Sequence, residues 1–240
     1  MLHYHTRFSH YCWFAHEIPW YGFATKTQYH CYLGKKPSIL WHSETMHTLT
    51  IDLTGDKFDF FGSLSKKTRY EINRAERDGI AFSLHDDRAT FLDFYNDFAR
   101  SKSLPLLSEA QLSHLPKENL CFTKAINSNT NETLVMHCYL HDKERTRLLF
   151  SCSQYRSDDQ KSLKNLIGMA NRYLHYQDIS YFKQHGWLTY DLGGIAYQTN
   201  NSGLQHINQF KEEFSKQLEA SYVVLPRWLH WLKWLRAKIR

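Results

Sequence analysis

The stretch "WLTYDLGGIAYQTNNSGLQHINQFKEEF" (187–214) decides how this chain is interpreted. Its first part is short and apolar, as expected for a buried strand, and Asp191 stands near the end of that strand. Gly193 and Gly194 follow, although the whole chain has only ten glycines. The turn can be purely structural, with backbone freedom at the glycines and a carboxylate that caps it. It can also bind a ligand, because ligands of open α/β sheets gather where strands end. Both interpretations stay open at this point.

Strand-like and helix-like segments alternate around this stretch. Strands are expected at 46–53, 80–84, 120–126, 133–141, 146–152, 187–192 and 218–225, and helices at 63–79, 88–101, 161–184, 202–216 and the C-terminal tail. Short connections within 120–152 predict an antiparallel meander. The pattern therefore predicts an α/β (α+β) fold, with a mixed, mostly antiparallel sheet flanked by helices. We expect one domain over residues 1–225, followed by a separate helix over 226–240.

Composition sets limits on the class of protein. The hydrophobic fraction of 42% and the charged fraction of 22% are typical of globular proteins. No run of about eighteen apolar residues is present, so no membrane-spanning helix is expected. The start of the chain lacks the apolar region of a signal peptide. Five widely spread cysteines without a CxxC pair favour a reduced, cytoplasmic protein.

The net charge of +6 is concentrated in the tail. Residues 226–240 hold five Lys or Arg and no acid, which leaves +1 for residues 1–225. A near-neutral body does not indicate a duplex-binding surface. In the tail, Trp228, Leu232, Leu235 and Ile239 form one apolar stripe, and basic residues flank it. This pattern is typical of a helix lying in a membrane interface, but docking on the body or contact with RNA would use it too.

The helix expected at 63–79 has two distinct faces. Thr68, Ile72 and Ala75 share one face, whereas the opposite face, flanked by Arg69 and Arg74, carries Lys66, Tyr70, Asn73 and Arg77. Residues 64–78 include five basic and three acidic side chains. Such a face can be a solvated surface with local ion pairs. It can also be a cationic surface that holds an anionic group such as a phosphate.

Several other patterns carry little information. His137 and Asp142 have the HxxxxD spacing of some glycerolipid acyltransferases, but they fall in a predicted strand that runs into a turn. His3, His5, His10, Cys12 and His16 match no known metal-ligand spacing, so no metal site is predicted. Nucleotide-binding glycine motifs and the GxSxG motif are absent from the sequence.

Two stretches together resemble a known family. "LSKKTRYEINRAERDGI" (64–80) and "GWLTYDLGGI" (186–195) with "GLQHINQFKEEF" (203–214) are similar to the signature segments of Fem-type peptidoglycan bridge transferases and their acyltransferase relatives. The order of strands and helices between them resembles the acyltransferase fold of the GNAT superfamily. The resemblance covers about residues 46–225, and residues 1–45 carry little of it.

The resemblance implies transfer of an acyl or aminoacyl group to an amine of a cell-envelope precursor, a peptidoglycan or polysaccharide unit. No cofactor is expected to stay bound; the donor would be aminoacyl-tRNA, acyl-carrier protein or acyl-CoA. Phe210 and Lys211 match the "FK" positions of the family signature, where the lysine lies at the substrate site. Arg69 matches the arginine of the first signature segment. Such a precursor is lipid-linked, so a cytoplasmic protein peripheral to the inner membrane is expected.

Two departures from the family bear on the donor and the acceptor. Acetyl-CoA enzymes of the superfamily carry a glycine-rich pyrophosphate loop after the fourth strand, whose backbone N–H groups hold the anion. Here that loop reads "SQYRSDDQKSLKN" (153–165), with no glycine and with Asp158 and Asp159. The chain is also too short for the two acyltransferase-like domains of Fem enzymes, which predicts a single-domain relative.

The expected chemistry is attack of an amine on an ester or thioester carbonyl. Asp191 is the candidate general base, with Tyr197 or the substrate itself as alternatives, and Lys211 is the candidate cation for the developing oxyanion. Backbone N–H groups near residues 150–152 would polarise the carbonyl. The expected substrate-binding residues are Arg69, Tyr70, Asn73, Arg74, Gly193, Gly194 and Phe210. The alternative is a non-catalytic module that keeps the fold and binds a membrane or RNA.

Overall fold

A computed structural model describes residues 1–6, 9–55, 59–85, 87–154 and 161–239. The chain divides into two compact units. The first comprises Met1–Thr50, Gly194–Lys211 and Lys216–Arg240, and the second comprises Ile51–Gly193 and Glu212–Ser215.

The described residues form ten strands and seven α-helices. The strands are β1 (Leu2–His5), β2 (His10–Trp13), β3 (Thr27–Tyr32), β4 (Trp41–Asp52), β5 (Ile80–His85), β6 (Leu120–Asn127), β7 (Glu132–His141), β8 (Arg145–Ser153), β9 (Thr189–Ile195) and β10 (Gln217–Pro226). The helices are α1 (Phe60–Ser63), α2 (Lys66–Arg77), α3 (Arg88–Ser101), α4 (Glu109–Ser113), α5 (Lys161–Gln184), α6 (Ser202–Glu212) and α7 (Arg227–Ile239). Short 3-10 turns lie at Trp20–Ala24 and Lys117–Asn119. None of these described helices combines the length and apolar character that crossing a membrane requires.

The first unit is built on strands from both ends of the chain. β1 pairs antiparallel with β2, and β2 pairs parallel with β3. β10 lies between β3 and β4 and is antiparallel to both. The pairing of β10 with β4 extends from Gln217↔Thr50 to Pro226↔Trp41. Side chains of Cys12, Tyr29, Tyr32, Trp41 and Val224 form its apolar core.

The second unit contains the predicted meander. β5, β6, β7 and β8 pair in sequence order, each antiparallel to the next, and β9 joins β8 in parallel. Helix α3 packs on one face of this sheet, with Phe91 against Met136 and Cys138 of β7. Helix α5 lies on the other face and packs in turn against α2. The mixed, mostly antiparallel sheet flanked by helices is therefore confirmed.

A bulge in β8 lies two residues beyond the point where its pairing with β9 ends. Cys138 of β7 faces Phe150, whereas Tyr139 faces Leu148, so Leu149 is the extra residue. Bulges re-aim side chains and interrupt pairing, often beside functional sites. Within the described residues, β8 and β9 pair only from Arg145↔Thr189 to Arg147↔Asp191, although both strands continue beyond. The two strands therefore part after Arg147 and Asp191.

Helix α2 (Lys66–Arg77) lies within the predicted range 63–79. The hydroxyl of Ser65 accepts the backbone N–H of Thr68 at 3.1 Å, as an N-cap does. Gly79 follows the helix with φ of +82°, a left-handed conformation that favours glycine. Thr68, Ile72 and Ala75 are buried, so the predicted inward face is confirmed.

Candidate functional site

An open cavity of about 890 Å³ lies in the second unit between α2 and the first half of α5. Its charged lining consists of four cationic residues, Lys67, Arg74, Lys164 and Arg172, and two acids, Glu71 and Asp78. Tyr70 also lines it, together with the backbone of Gly168. Two of the predicted substrate-binding residues, Tyr70 and Arg74, therefore lie in one cavity. We call it the α2–α5 groove.

The helical period of α2 explains this lining. Tyr70 and Glu71 lie three and four residues after Lys67, Arg74 lies four and three residues after them, and Asp78 follows Arg74 by four, so these residues form a stripe along the helix. The Nε atom of Arg74 lies 3.4 Å from Oδ2 of Asp78. A hydrogen bond to Tyr70 and the charge of Asp78 raise the pKa of the Arg74 guanidinium. Arg74 is therefore a fixed positive charge on the wall of the α2–α5 groove.

Arg172 is held on the α5 side of the groove by two carboxylates. Its Nε and Nη2 atoms each donate to Glu213 at 2.7 Å, a bidentate pair, and Nε lies 3.1 Å from Oε2 of Glu71. Nη1 donates to the carbonyl of Gly168 at 3.2 Å. Paired guanidinium groups of this kind are fixed in position as well as in charge. The sequence prediction missed Arg172 and Glu213, although Glu213 stands inside the "QFKEEF" signature.

Arg69 and Asn73 do not line the α2–α5 groove. Asn73 is exposed on α2. Arg69 is partly buried, and its Nε atom is buried without a hydrogen-bond partner within the described part of the chain. The donor on Arg69 thus fits an acceptor group that the described protein atoms do not supply.

Asp191 is fully buried between two arginines of the neighbouring strand. Its Oδ2 atom accepts from Nε and Nη2 of Arg145 at 3.1 and 2.6 Å and from Nη1 of Arg147 at 2.6 Å. Its Oδ1 accepts the backbone N–H of Gly193 at 2.8 Å. Gly193 has φ of +77°, which explains why glycine follows here. A carboxylate engaged by two guanidinium groups is a weak proton acceptor, so this geometry favours the structural interpretation of Asp191.

In the first unit, Lys211 is hydrogen-bonded to the backbone of Gly194, the second glycine after Asp191. Its Nζ atom donates to the carbonyl oxygen of Gly194 at 2.7 Å. Asn208, one helical turn earlier, exchanges two hydrogen bonds with the backbone of Ala196, at 3.1 and 2.8 Å. Helix α6 thus fixes the course of the chain after β9. Phe210 lies half-buried on the same helix.

Tyr197 lies on the surface of the first unit beside a histidine. Its ring is about half exposed and stacks on His47, with centroids 4.2 Å apart and an interplanar angle of 24°. A phenol and an imidazole can both accept or donate a proton. Tyr197 is therefore sterically accessible for the role of proton acceptor that the sequence analysis gave it as an alternative.

A buried hydrogen-bond network joins β7, β9 and α5 in the second unit. His137 Nδ1 lies 2.7 Å from Asp178 Oδ2, and Tyr139 donates to the same oxygen at 2.6 Å. The Tyr139 and Tyr190 hydroxyls are 2.7 Å apart, and Tyr190 lies 2.9 Å from His175 Nδ1. Burial raises the pKa of both tyrosines well above its usual range, so both hydroxyls stay protonated and the chain of hydrogen bonds persists.

This network bears on two further questions: whether its side chains could bind a metal ion, and whether His137 and Asp142 form the HxxxxD motif of acyltransferases. Among the described residues, His137, His175 and Asp178 form one group whose ligand atoms lie within 4.8 Å of one another. Ligands of one tetrahedral zinc ion stand about 3.3 Å apart, whereas His137 and Asp178 are in direct hydrogen-bond contact. A metal would therefore have to break this bond. Asp142, the other residue of the HxxxxD spacing, instead caps the β7–β8 turn by accepting from the backbone of Glu144 and Arg145.

The glycine-free loop that replaces the pyrophosphate loop of acetyl-CoA enzymes lies partly outside the described residues. Asp158 and Asp159 belong to residues 155–160, which lie outside the described residues. Of the expected carbonyl-polarising segment, Phe150 to Cys152 continue β8 past its last pair with β9. That segment therefore borders the place where the two strands part.

No family model and no curated protein sequence matches the chain. Solved structures do match. FemX has a TM-score of 0.56 at 12% identity, over 78% of this chain and 63% of that one. The C-terminal domain of a protein assigned as a lysylphosphatidylglycerol synthetase from Agrobacterium fabrum has a TM-score of 0.56 at 11% identity, over 93% and 79%. L-PGS from Bacillus licheniformis has a TM-score of 0.53 at 12% sequence identity, and the match covers 83% of this chain and 67% of that one.

At these identities the likeness concerns the fold. The chain shares the fold of FemX and of these two lysylphosphatidylglycerol-synthetase-type structures, in agreement with the Fem-type resemblance of its two signature stretches. It spans less than two thirds of the FemX structure.

Proposed function

We propose that this protein is an acyl- or aminoacyltransferase that forms an amide on an amine of a cell-envelope precursor, a peptidoglycan or polysaccharide unit. The observation that carries the proposal is the cationic α2–α5 groove, which lies beside the α5 face of a sheet with the acyltransferase fold. The chemistry is attack of the amine nitrogen on the donor carbonyl carbon. A C–N bond forms, the C–O or C–S bond to the carrier breaks, and the amine loses a proton.

The groove suits the phosphate-bearing end of the donor. Aminoacyl-tRNA, acyl-carrier protein and acyl-CoA all carry phosphate on the carrier of the activated acyl group, so a cationic site suits the carrier of each. Lys67 and Lys164 are exposed on opposite walls, and Arg74 and Arg172 are held in place by carboxylates. The first turns of α5 add the positive end of a 24-residue helix. The donor binds for each turnover, and no permanently bound cofactor is required.

The acyl group would reach the place where β8 and β9 part. Backbone N–H groups of Phe150 to Cys152 continue past the last β8–β9 pair, and they are our candidates for polarising the donor carbonyl. The buried ion pairs of Asp191 with Arg145 and Arg147 fix the two strands immediately before this point. In this proposal Asp191 is a positioning residue that sets the geometry of the opening.

Lys211 and Tyr197 are the remaining catalytic candidates. Lys211 holds the carbonyl of Gly194, and a lysine at this turn can also meet the charge that develops on a carbonyl oxygen. Tyr197 is accessible and stacked on His47, so it remains our candidate for accepting the amine proton when the substrate does not lose it directly. Arg69, with its unpartnered buried Nε, is the candidate for an acceptor group on the substrate.

The acceptor class rests on the similar structures and the expected location. FemX and a protein assigned as a lysylphosphatidylglycerol synthetase share this fold. A lipid-linked acceptor would be reached from the inner membrane surface, by a cytoplasmic protein attached peripherally. The non-catalytic alternative, a module of this fold that binds a membrane or RNA, is favoured by one observation, namely the exposed tryptophans of the basic helix α7.

The decisive experiment measures transfer from labelled aminoacyl-tRNA, acyl-carrier protein and acyl-CoA pools to amine acceptors. Arg74→Ala and Lys164→Ala should each raise KM for the active donor about tenfold, because each removes one charge-assisted phosphate contact. Arg77→Ala is the matched control, since Arg77 is exposed on the same helix but does not line the groove. Equal kinetics for Arg74→Ala and Arg77→Ala would remove the groove from the donor site. Failure of the wild type to transfer from any pool would favour the non-catalytic alternative.

A further inference from the structure

The face that helix α7 turns away from the first unit is rich in exposed apolar side chains. Leu229 is buried, His230 stacks on His42 with centroids 3.5 Å apart, and Lys233 donates to Gln28 at 2.6 Å. These residues define the docked face. Trp231 is 59% exposed and Trp234 46%, on the side that faces solvent. Helix α7 thus docks through a mixed face and leaves tryptophans outside.

A second exposed group lies against the start of α7. The ring N–H of Trp228 donates to the carbonyl of Phe23 at 2.7 Å, which fixes the 3-10 turn Trp20–Ala24 beside the helix. Trp20 is 84% exposed and Tyr21 is 55% exposed on this turn. Both side chains stay outside because the turn packs inward through Gly22.

The fit at Gly22 is tight. A β-carbon there would lie 3.2 Å from the ring of Trp41. The close approach of backbone to ring orients the turn, and the neighbouring side chains of Trp20 and Tyr21 must then point away from the core. Their exposure is therefore built into the packing of the first unit.

A third element completes the surface. The backbone N–H of Arg227 donates to the carbonyl of Leu40 at 3.0 Å, so the loop at Ile39 and Leu40 lies at the first turn of α7. Ile39 is 78% exposed. Three segments far apart in sequence thus bring their apolar side chains to one surface, whose main members are Trp20, Tyr21, Ile39, Trp228, Trp231 and Trp234. We call it the tryptophan surface.

The charges around the tryptophan surface are basic. Residues 226–240 contain five Lys or Arg and no acid. Arg227 and Arg236 are exposed on α7, and Lys238 Nζ lies 4.1 Å from the centroid of the Trp234 ring. Tryptophan and tyrosine flanked by lysine and arginine are typical of a protein face that lies in the headgroup region of a bilayer. A second protein copy would bring the same basic charges against this face and would be repelled.

We propose that the tryptophan surface binds an anionic lipid bilayer, with the 3-10 turn, the Ile39–Leu40 loop and α7 inserting together. The anionic headgroups meet the basic residues of α7, and the indole rings lie at the level of the headgroups. The inference is independent of the catalytic site, because none of these residues belongs to the α2–α5 groove. It extends the expectation for the tail from one helix to a three-segment surface.

The test is co-sedimentation of the full chain with vesicles of phosphatidylglycerol and phosphatidylcholine, compared with vesicles of phosphatidylcholine alone. The wild type should sediment with the anionic vesicles and lose most of this binding in about 0.5 M salt, where surface charges are screened. The double variant Trp20→Ser/Tyr21→Ser, which leaves α7 intact, should bind about tenfold more weakly. Trp231→Ser should do the same. Leu106→Ser is the control, since Leu106 is 52% exposed in the second unit and should bind like wild type.

Each result distinguishes the proposal from its competitors. Wild-type binding by Trp20→Ser/Tyr21→Ser would overturn the three-segment surface, and equal loss in Leu106→Ser would overturn its location. Absence of vesicle binding, with a tryptophan-dependent dimer in sedimentation velocity or with retention by single-stranded RNA, would overturn the lipid partner. Transfer to a water-soluble acceptor should be unchanged in all these variants, so failure of membrane binding and failure of the proposed activity are separable.

Discussion

Arg147 Nη1 lies 2.6 Å from Asp191 Oδ2, and the two residues face each other across the last registered pair of the parallel strands β8 and β9. Arg145 donates to the same oxygen from two residues earlier. Both guanidinium groups are nearly as buried as the carboxylate. One buried carboxylate therefore binds two guanidinium groups and joins the two strands next to the proposed acyl site.

We predict that Asp191→Asn destabilises the protein by about 3–5 kcal/mol, because it removes the carboxylate charge that accepts three hydrogen bonds from two buried guanidinium groups. The measurement is the free energy of unfolding by chemical denaturation. Asp97→Asn is the control: Asp97 pairs with Arg100 at the surface, so its loss should change stability by less than about 1 kcal/mol. A stable Asp191→Asn protein that has lost transfer activity would instead restore Asp191 as the general base.

Lys211→Ala should remove most transfer activity while the protein stays folded. The side chain is only half-buried and makes its 2.7 Å hydrogen bond to Gly194 near the surface, so its loss leaves little unsatisfied in the core. The measurement is kcat/KM together with the melting temperature. The control Lys216→Ala changes an exposed lysine just beyond α6 and should leave kcat/KM and the melting temperature unchanged. Unchanged kcat/KM in Lys211→Ala would reject this lysine as a site residue.

Glu213→Gln should weaken donor binding through Arg172. The substitution removes the charge that fixes the Arg172 guanidinium but keeps the size of the side chain. We expect a higher KM for the donor, an unchanged kcat, and a loss of about 1–2 kcal/mol in the free energy of unfolding. Glu212→Gln, at an exposed neighbouring position, is the matched control. A fall in kcat with unchanged KM would contradict a positioning role at the groove.

Stability should fall at alkaline pH because of Tyr139 and Tyr190. Burial raises the pKa of both hydroxyls in the folded protein, whereas in the unfolded chain they ionise near pH 10. The unfolded state therefore loses protons first. Above pH 10 the free energy of unfolding should decline by about 1.4 kcal/mol per pH unit for each of these two tyrosines.

Tyr190→Phe tests this assignment. The variant should be less stable at neutral pH, since Tyr139 and His175 lose a hydrogen-bond partner, but its alkaline slope should be smaller by the contribution of one tyrosine. Identical slopes for wild type and Tyr190→Phe would show that the buried hydroxyl is not responsible.

Much of the second unit could be predicted from hydrophobic periodicity. The meander 120–152, strand β9, and the buried face of α2 all follow from local patterns that tertiary packing reinforces. β1, β2 and β3 were not predicted. Their residues mix aromatic rings with histidines and show no clean alternation, and β3 pairs with β10 from the far end of the chain. Long-range pairing of this kind leaves no local signal.

The sequence predicted only those groove residues that belong to a charged helix face. Tyr70 and Arg74 were found because the cationic face of α2 is visible at helical spacing. The buried network was missed because single polar residues inside apolar runs do not reveal their partners. One signal was available: Asn171, His175 and Asp178 follow at intervals of four and three residues, which places three polar groups on one face of α5.

The tail was predicted correctly as a helix that starts after Pro226, but its contacts could not be predicted. The apolar stripe through Trp228 and Leu232 was one option for docking on the body. The structure docks α7 through Leu229 and His230 instead, and leaves Trp228 and Leu232 more than a third exposed. The pairing of His42 with His230 decides the rotation of the helix, and no periodicity in the tail encodes that partner.

The arginine pair on β8 also has a consequence for how this signature evolves. Because Arg145 and Arg147 share one carboxylate, a change at any of the three positions removes a charged hydrogen-bond partner from the buried set. Substitutions should therefore occur in concert, and an Asp-x-Gly-Gly turn in a related sequence should be accompanied by an Arg-x-Arg pair about 45 residues upstream, on the strand beside it. Where the arginine pair is missing, the aspartate of the same turn should be missing as well. The three residues should therefore be inherited together, and their joint presence in a sequence indicates the opening between these two strands.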